Sequence, residues 1–267
     1  MAAGPTTAEK SGTSRSKGPS GGPPGEGTRN HRFRVPGTRT LLIAFGVLVL
    51  VVAGVWALYG SSWFRVERVK TYGTAVLTPR EVEAVAAVPV GAPLVSVDTD
   101  GIEARLRARL PRVESVDVVR SWPHGIGLKV TERQPVLVVE KGGRFTEVDR
   151  TGMRFATVPT APKGVPRLVL DVASAPSLRR FGADRLLDEA VRVRGELPPQ
   201  IARDTRVVRV TSYDSVTLEL TRGRTVYWGS GEHGPVKARV LTALMKATPK
   251  AGHFDVSAPT APASSGS

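Results

Sequence analysis

The chain has 267 residues, with 38 lysines and arginines against 24 acidic residues, a formal net charge of +14 and no cysteine. The lack of cysteine excludes a disulfide framework, a thiol nucleophile and thiolate metal sites. The basic balance fits nucleic acid, anionic lipid or an anionic wall polymer as a partner. The arginines are spread through alternating segments rather than gathered in a run, which argues against nucleic acid.

The first 37 residues are rich in Gly, Ser, Thr, Pro and Lys, with Phe33 their only aromatic residue. Such a segment buries too little apolar surface to offset chain entropy, so residues 1–38 are predicted to form a disordered tail. Ser14-Arg15-Ser16-Lys17 spells the S-x-x-K of penicillin-binding enzymes. A flexible tail cannot hold a nucleophile and its base in register, so the match is chance.

Leu41 to Leu58 contains no charged residue. As a helix it is roughly 27 Å long, close to the hydrocarbon thickness of a bilayer. A transmembrane helix is predicted over residues 39–60, with Leu41, Val49 and Leu58 along the apolar run. Trp56, Tyr59 and Trp63 lie at one end, at the depth where amphipathic rings settle among headgroups. A cleaved signal peptide would have a shorter apolar core placed nearer the start of the chain. Arg29, Arg32, Arg34 and Arg39 precede the run, while Arg65, Arg68 and Lys70 follow it. The positive-inside rule then puts the N-terminus in the cytoplasm and about two hundred residues outside.

Beyond the span, Phe64, Val66, Val69 and Tyr72 predict a strand ending at Gly73. Thr78-Pro79-Arg80-Glu81 opens a helix with a capping box and a proline at its first position. Val82, Val85 and Ala86 form its stripe, and Pro89-Val90-Gly91 is expected to stop it. Asp100 and Glu103 begin a second helix, with Ile102, Leu106 and Leu110 on one face. Two strands follow, from Val113 to Arg120 and from Ile126 to Val130, around a turn at Ser121-Trp122-Pro123-His124-Gly125. Trp122-Pro123 reads as a structural corner, with the ring packed under the hairpin; the alternative is an exposed contact site.

The second half predicts strands over 136–140, 145–148 and 167–172, then a helix over 183–194 and a break at Pro198-Pro199. Strands over 207–211, 216–220 and 225–228 have joins short enough for hairpins. A helix over 235–247 and a final strand over 253–256 complete the domain, and residues 258–267 are expected to be disordered. That last strand, with His253, Phe254, Asp255, Val256 and Ser257, is expected to leave a row of unpaired N–H and C=O groups open to an incoming segment. Replacing Val256 with proline would remove one such donor if that donor faces the partner.

Gly229-Ser230-Gly231-Glu232-His233-Gly234 spells the dinucleotide fingerprint G-x-G-x-x-G. Hairpin-linked strands before it, too little chain after it and Glu232 beside the would-be pyrophosphate all oppose that use. The histidines lack metal-ligand spacing, and no Walker A or G-x-S-x-G sequence occurs.

The order β-α-α-β-β resembles a POTRA domain. Phe64-x-Val66-x-x-Val69 outside the anchor, Arg120-x-Trp122-Pro123 and Glu132-Arg133-x-Pro135 together resemble the FtsQ/DivIB family of bacterial cell-division proteins. The resemblance continues through Val148-Asp149-x-x-Gly152, Gly229 with Lys237, and Asp255-Val256, so it covers roughly residues 60 to 258. It implies an α+β fold: one transmembrane helix, a POTRA-like module over 61–134 and a mostly antiparallel β-domain over 135–257. It also implies a division-site assembly protein in the bacterial cell membrane, without enzymatic chemistry, cofactor or small-molecule substrate. Such a protein links early and late septation components and binds the small coiled-coil proteins FtsB and FtsL, FtsB at the C-terminal strand. The alternatives are a POTRA-bearing translocation or insertion factor, for which tandem repeats or a barrel would be expected, and a wall-polymer-modifying enzyme, which would need a carboxylate or histidine constellation in a pocket.

Overall fold

The computed structural model describes residues 37–60, 62–171 and 176–266. The predicted N-terminal tail, with its arginines and the Ser14–Lys17 match, falls outside them up to residue 36. Helix α1, Thr38–Gly60, is 23 residues long and has no buried residue. Among the described residues it is the one helix long and apolar enough to cross a membrane. Leu41, Val49, Trp56 and Tyr59 are exposed on it and Leu58 is half-buried.

Next comes a three-stranded module: β1 Arg68–Tyr72, α2 Pro79–Ala86, α3 Thr99–Arg109, β2 Val113–Ser121 and β3 Gly125–Glu132. The sheet order is β1-β3-β2, with β1 parallel and β2 antiparallel to β3. The capping box forms as expected: the Thr78 hydroxyl accepts from the Glu81 N–H, and the Glu81 carboxylate accepts from the Thr78 N–H at 2.8 Å. Helix α2 ends earlier than the Pro-Val-Gly signal, because Ala87 turns left-handed at φ 46°. Helix α3 is capped by Asp98, whose carboxylate accepts from the Gly101 N–H at 2.9 Å, rather than starting at Asp100. Its apolar face is the expected one: Ile102 and Leu106 are buried with Val66, Val82, Leu94, Ile126 and Leu128. The first strand begins late, because residues 62–64 form a 3-10 turn and Arg65 bridges to Pro93.

The second module contains β4 Leu137–Lys141, β5 Arg144–Val148, β6 Arg154–Val158 and β7 Arg167–Leu170, then helices α4 Pro176–Glu196 and α5 Pro199–Asp204. It continues with β8 Thr205–Ser212, β9 Ser215–Leu220, β10 Thr225–Gly229, α6 Gly234–Ala247, β11 His253–Asp255 and β12 Ala263–Ser265. These strands form one sheet of nine, ordered β12-β11-β10-β9-β8-β7-β4-β5-β6. Antiparallel pairings predominate, with β4–β7, β7–β8 and β10–β11 parallel. One face carries the core: Val208, Val210, Val216, Leu218 and Val226 meet Leu186, Leu187, Ala190, Ile201 and Leu241 from the helices. The other face is polar, as where Arg209 donates to Glu219 at 2.7 Å.

In the second module three elements are additional to those expected. Strand β6 extends the β5 hairpin, and α5 starts at Pro199, where the proline pair looked like a simple break. Proline suits a first helical turn because its missing N–H is unpaired there anyway. The third difference corrects the expected disordered end: residues 263–265 form β12, antiparallel to β11. Ala263-Ser264-Ser265 has little to bury, so backbone pairing against β11 holds it, and composition carries no trace of that.

Candidate docking edge

The C-terminal end of the sheet is built by α6, which carries the chain from the end of β10 across to β11. Gly229 makes the exit, at φ 74°. In the loop that follows, the Gly231 N–H donates to the Glu189 carboxylate, and the Glu196 carboxylate lies against Gly234. A carboxylate therefore occupies the place a phosphate would need in a G-x-G-x-x-G cradle. Lys237, on the first turn of α6, is 1 % exposed and donates through Nζ to the carbonyls of Trp228 at 3.0 Å and Ser230 at 2.8 Å. Burial lowers its pKa from the usual lysine value, opposed by the carboxylates of Glu232, Glu196, Glu189 and Asp255. Burial likewise raises the pKa of Glu196, opposed mainly by Arg192.

The five residues singled out in the sequence come together here but divide by role. Phe254 and Val256 are buried in the core, with Phe254 opposite Val226 of β10. His253 and Asp255 are exposed. His253 Nδ1 shares a 2.6 Å hydrogen bond with the Thr225 hydroxyl. Asp255 accepts from the N–H and hydroxyl of Ser257 at 2.9 and 2.7 Å. The Val256 N–H donates inward to the Tyr227 carbonyl at 3.0 Å, so that donor does not face outward.

The edge itself is β12, since His253, Phe254 and Asp255 are paired to β10 on one side and β12 on the other. The Thr225 N–H donates to the Gly252 carbonyl at 2.8 Å and the Val256 N–H to that of Tyr227, so position 254 between them addresses β10, while the Gly252 N–H donates to the carbonyls of Ser265 at 3.2 Å and Gly266 at 3.0 Å. Alternation then turns 253 and 255 toward β12, where they lie opposite Ser265 and Ala263. The backbone N–H and C=O of Ser264 are left on the open side. Beside this edge is a shallow cleft of about 350 Å³, lined by Thr217, Thr225, Tyr227, His253, Asp255 and Ser265 among others. Among the described residues no three His, Asp or Glu side chains form a cluster that could hold a metal.

A second feature had no separate signal in the sequence. The two modules are joined by ion pairs: Arg112–Glu147 at 2.5 Å, Arg133–Asp149 at 2.5 Å and Arg150–Glu114 at 2.7 Å. Arg112 also lies over the Phe155 ring, 5.2 Å from its centroid. The neighbouring Glu132 is buried and accepts from the N–H groups of Ala75, Val76 and Leu77 at 2.7–3.0 Å. Glu132-Arg133 is thus a clamp whose two residues grip opposite modules. Asp149 also takes hydrogen bonds from Thr151 and Met153. Burial pushes its pKa up, but the hydrogen bonds from Thr151, Arg133 and Met153 outweigh it and hold the carboxyl below its ordinary value of 3.8. Trp122, expected under the hairpin, is instead 52 % exposed, its ring set edge-to-face with that of Phe64 at 5.5 Å between centroids.

Residues 64–133 match the family described as POTRA domain, FtsQ-type, and residues 137–257 match that described as cell division protein FtsQ/DivIB, C-terminal. A protein of Streptomyces venezuelae called cell division protein FtsQ is 81% identical over 271 residues, covering 100% of both chains. One of the same name from Streptomyces coelicolor is 63% identical over 99% of this chain and 100% of its own. Another, from Mycobacteroides abscessus, is 33% identical over 86% of this chain and 71% of its own. An apolar N-terminal helix, a β-α-α-β-β module and a mostly antiparallel β-domain, matched along their length in this way, place the chain in the FtsQ/DivIB family of cell division proteins.

Proposed function

We propose that this chain is a non-enzymatic assembly factor of the division site. Helix α1 anchors it in the bacterial cell membrane, with the N-terminus in the cytoplasm and residues 61–267 outside. The POTRA-like module over 61–134 stands next to the anchor, and the β-domain from 135 onward presents the docking surface. Its partners are small coiled-coil membrane proteins of the FtsB and FtsL type, through which it links early and late septation components. They dock by adding a strand to β12.

One observation carries this reading: the nine-stranded sheet ends on an exposed strand with an unpaired side and no charge along it. Charged residues are a common way to blunt an edge. The opposite edge, β6, has one in Arg154, paired with Asp184 at 2.9 Å, whereas Ala263-Ser264-Ser265 offers nothing to repel a strand.

Ser264→Pro tests it. Proline removes the outward donor while the pairs at 263 and 265 remain, and an edge tolerates it. The variant should melt like the native chain, and co-purification of FtsB-type partner should fall several-fold. Unchanged co-purification by a folded variant would move the docking surface away from β12. Protease added to spheroplasts should degrade residues 61–267 and spare the tail; protection of the large part would reverse the topology.

A further inference from the structure

The end of the POTRA-like module nearest the anchor carries side chains that the docking reading does not use. Gly60 closes α1 and Trp63 follows three residues later, 74 % exposed. Chain length alone keeps Trp63 within about 10 Å of the helix end, and Phe64 within about 14 Å. The Phe64 ring meets the Trp122 ring at 5.5 Å and 73°. The backbone ties the same places together: the N–H groups of Glu67 and Arg68 donate to the His124 carbonyl at 2.9 and 3.2 Å. The tip of the β2–β3 hairpin, far away in sequence, is therefore held beside the first residues to leave the span.

Around this tip the sheet's open face is basic. Arg68, Lys70 and Tyr72 alternate outward along β1, and together with Trp122 and His124 they line a cleft of about 200 Å³. Glu67 is exposed beside Arg68, and farther along the same face Asp117 is exposed and pairs with Lys129 at 3.6 Å. Indole rings with an apolar body and one N–H, flanked by cations, suit a headgroup layer better than either bulk water or hydrocarbon. That layer is itself about 5–8 Å deep on each side of the bilayer. The chain between Gly60 and Phe64 is thus comparable in reach to the layer it must cross.

We infer that Trp63, Phe64 and Trp122, with Arg68 and Lys70, seat in the headgroup layer of an anionic bilayer and give the first module a second membrane contact beside the span. This rests on the reading of α1 as membrane-spanning. The contact is interfacial: the rings lie among headgroups and the cations meet lipid phosphates.

The test uses the full chain reconstituted into phosphatidylglycerol vesicles, with lipid brominated near the glycerol as a contact quencher of tryptophan emission. The chain has four tryptophans. In a Trp56→Phe/Trp63→Phe background the remaining ones are Trp122 and the fully buried Trp228. Brominated lipid should quench a component of the emission that disappears on Trp122→Phe, which keeps a ring against Phe64. The unquenched Trp228 emission reports that the β-domain stays folded. Charge reversal by Arg68→Glu with Lys70→Glu should shrink the Trp122 component. A chain that resists alkaline extraction yet shows no Trp122-dependent quenching overturns the inference and leaves the span intact. Quenching untouched by the charge reversal overturns the anionic part of it. Release of the chain by the alkaline wash overturns the span, and this contact with it.

Discussion

Lys237 Nζ donates to the carbonyl oxygen of Trp228 at 3.0 Å, from a side chain sealed off from solvent. An ammonium is costly to bury, and here it is held because it satisfies the carbonyls of Trp228 and Ser230 where β10 runs out. Lys237→Met keeps most of the apolar stem but leaves those oxygens without their donor. The variant should lose about 1–3 kcal/mol in urea unfolding. A melt equal to the native one would mean the carbonyls find other donors.

Asp149 gives the fold an acid dependence. Its folded pKa lies below the ordinary value of 3.8, so its stabilising contribution is fully present above that value and is lost as pH falls through the folded one. Asp149→Asn removes the charge that Arg133 and the Thr151 and Met153 N–H groups address. It should be less stable than the native chain at neutral pH, and the gap should narrow in acid below 3.8. Thermal melts of both chains at the two pH values measure it. A gap independent of pH would assign the loss to packing.

Two glycines with nearly the same dihedral separate strain from collision. Gly73 is at φ 83°, and an added Cβ would lie 2.1 Å from the Val130 carbonyl oxygen. Gly91 is at φ 87° with nothing within 4 Å. Gly91→Ala should cost about 1–2 kcal/mol from backbone strain alone. Gly73→Ala must also move β3 backbone and should cost clearly more, read from denaturant midpoints. Equal losses would show that the loop shifts freely away from β3.

Val49→Arg places a charge near the middle of α1, at about 2.5–3.5 kcal/mol on insertion scales. Membrane fractionation should show partial loss of insertion. Unchanged fractionation would place the anchoring elsewhere.

What was legible in the sequence follows from which interactions are local. The capping box at Thr78 and Glu81 spans one helical turn, and the alternation of Ile126, Leu128 and Val130 spans one strand, so both could be read directly. The open face of Trp122 could not be, because whether a ring at a hairpin tip is covered depends on what packs there from afar. Arg112 and Glu147 meet across 35 positions of sequence, with no spacing rule to announce them. The direction of the Val256 N–H depends on the parallel register between β10 and β11, which no periodicity encodes. β12 is the sharpest case. Ala263-Ser264-Ser265 has the composition of a loose end, and it becomes a strand because β11 already offers it a row of partners.

The parallel pairing of β1 with β3 has a mechanical consequence. Arg68 lies opposite Gly125 and Tyr72 opposite Lys129, so the chain enters β1 at one end of the pair and leaves β3 at the other. Tension between the anchor and the β-domain therefore pulls these strands along their length in opposite directions. In that geometry the rungs between them resist together, whereas strands pulled apart from one end would yield rung by rung. The module between α1 and the β-domain is thus wired to carry a pull along the chain without opening.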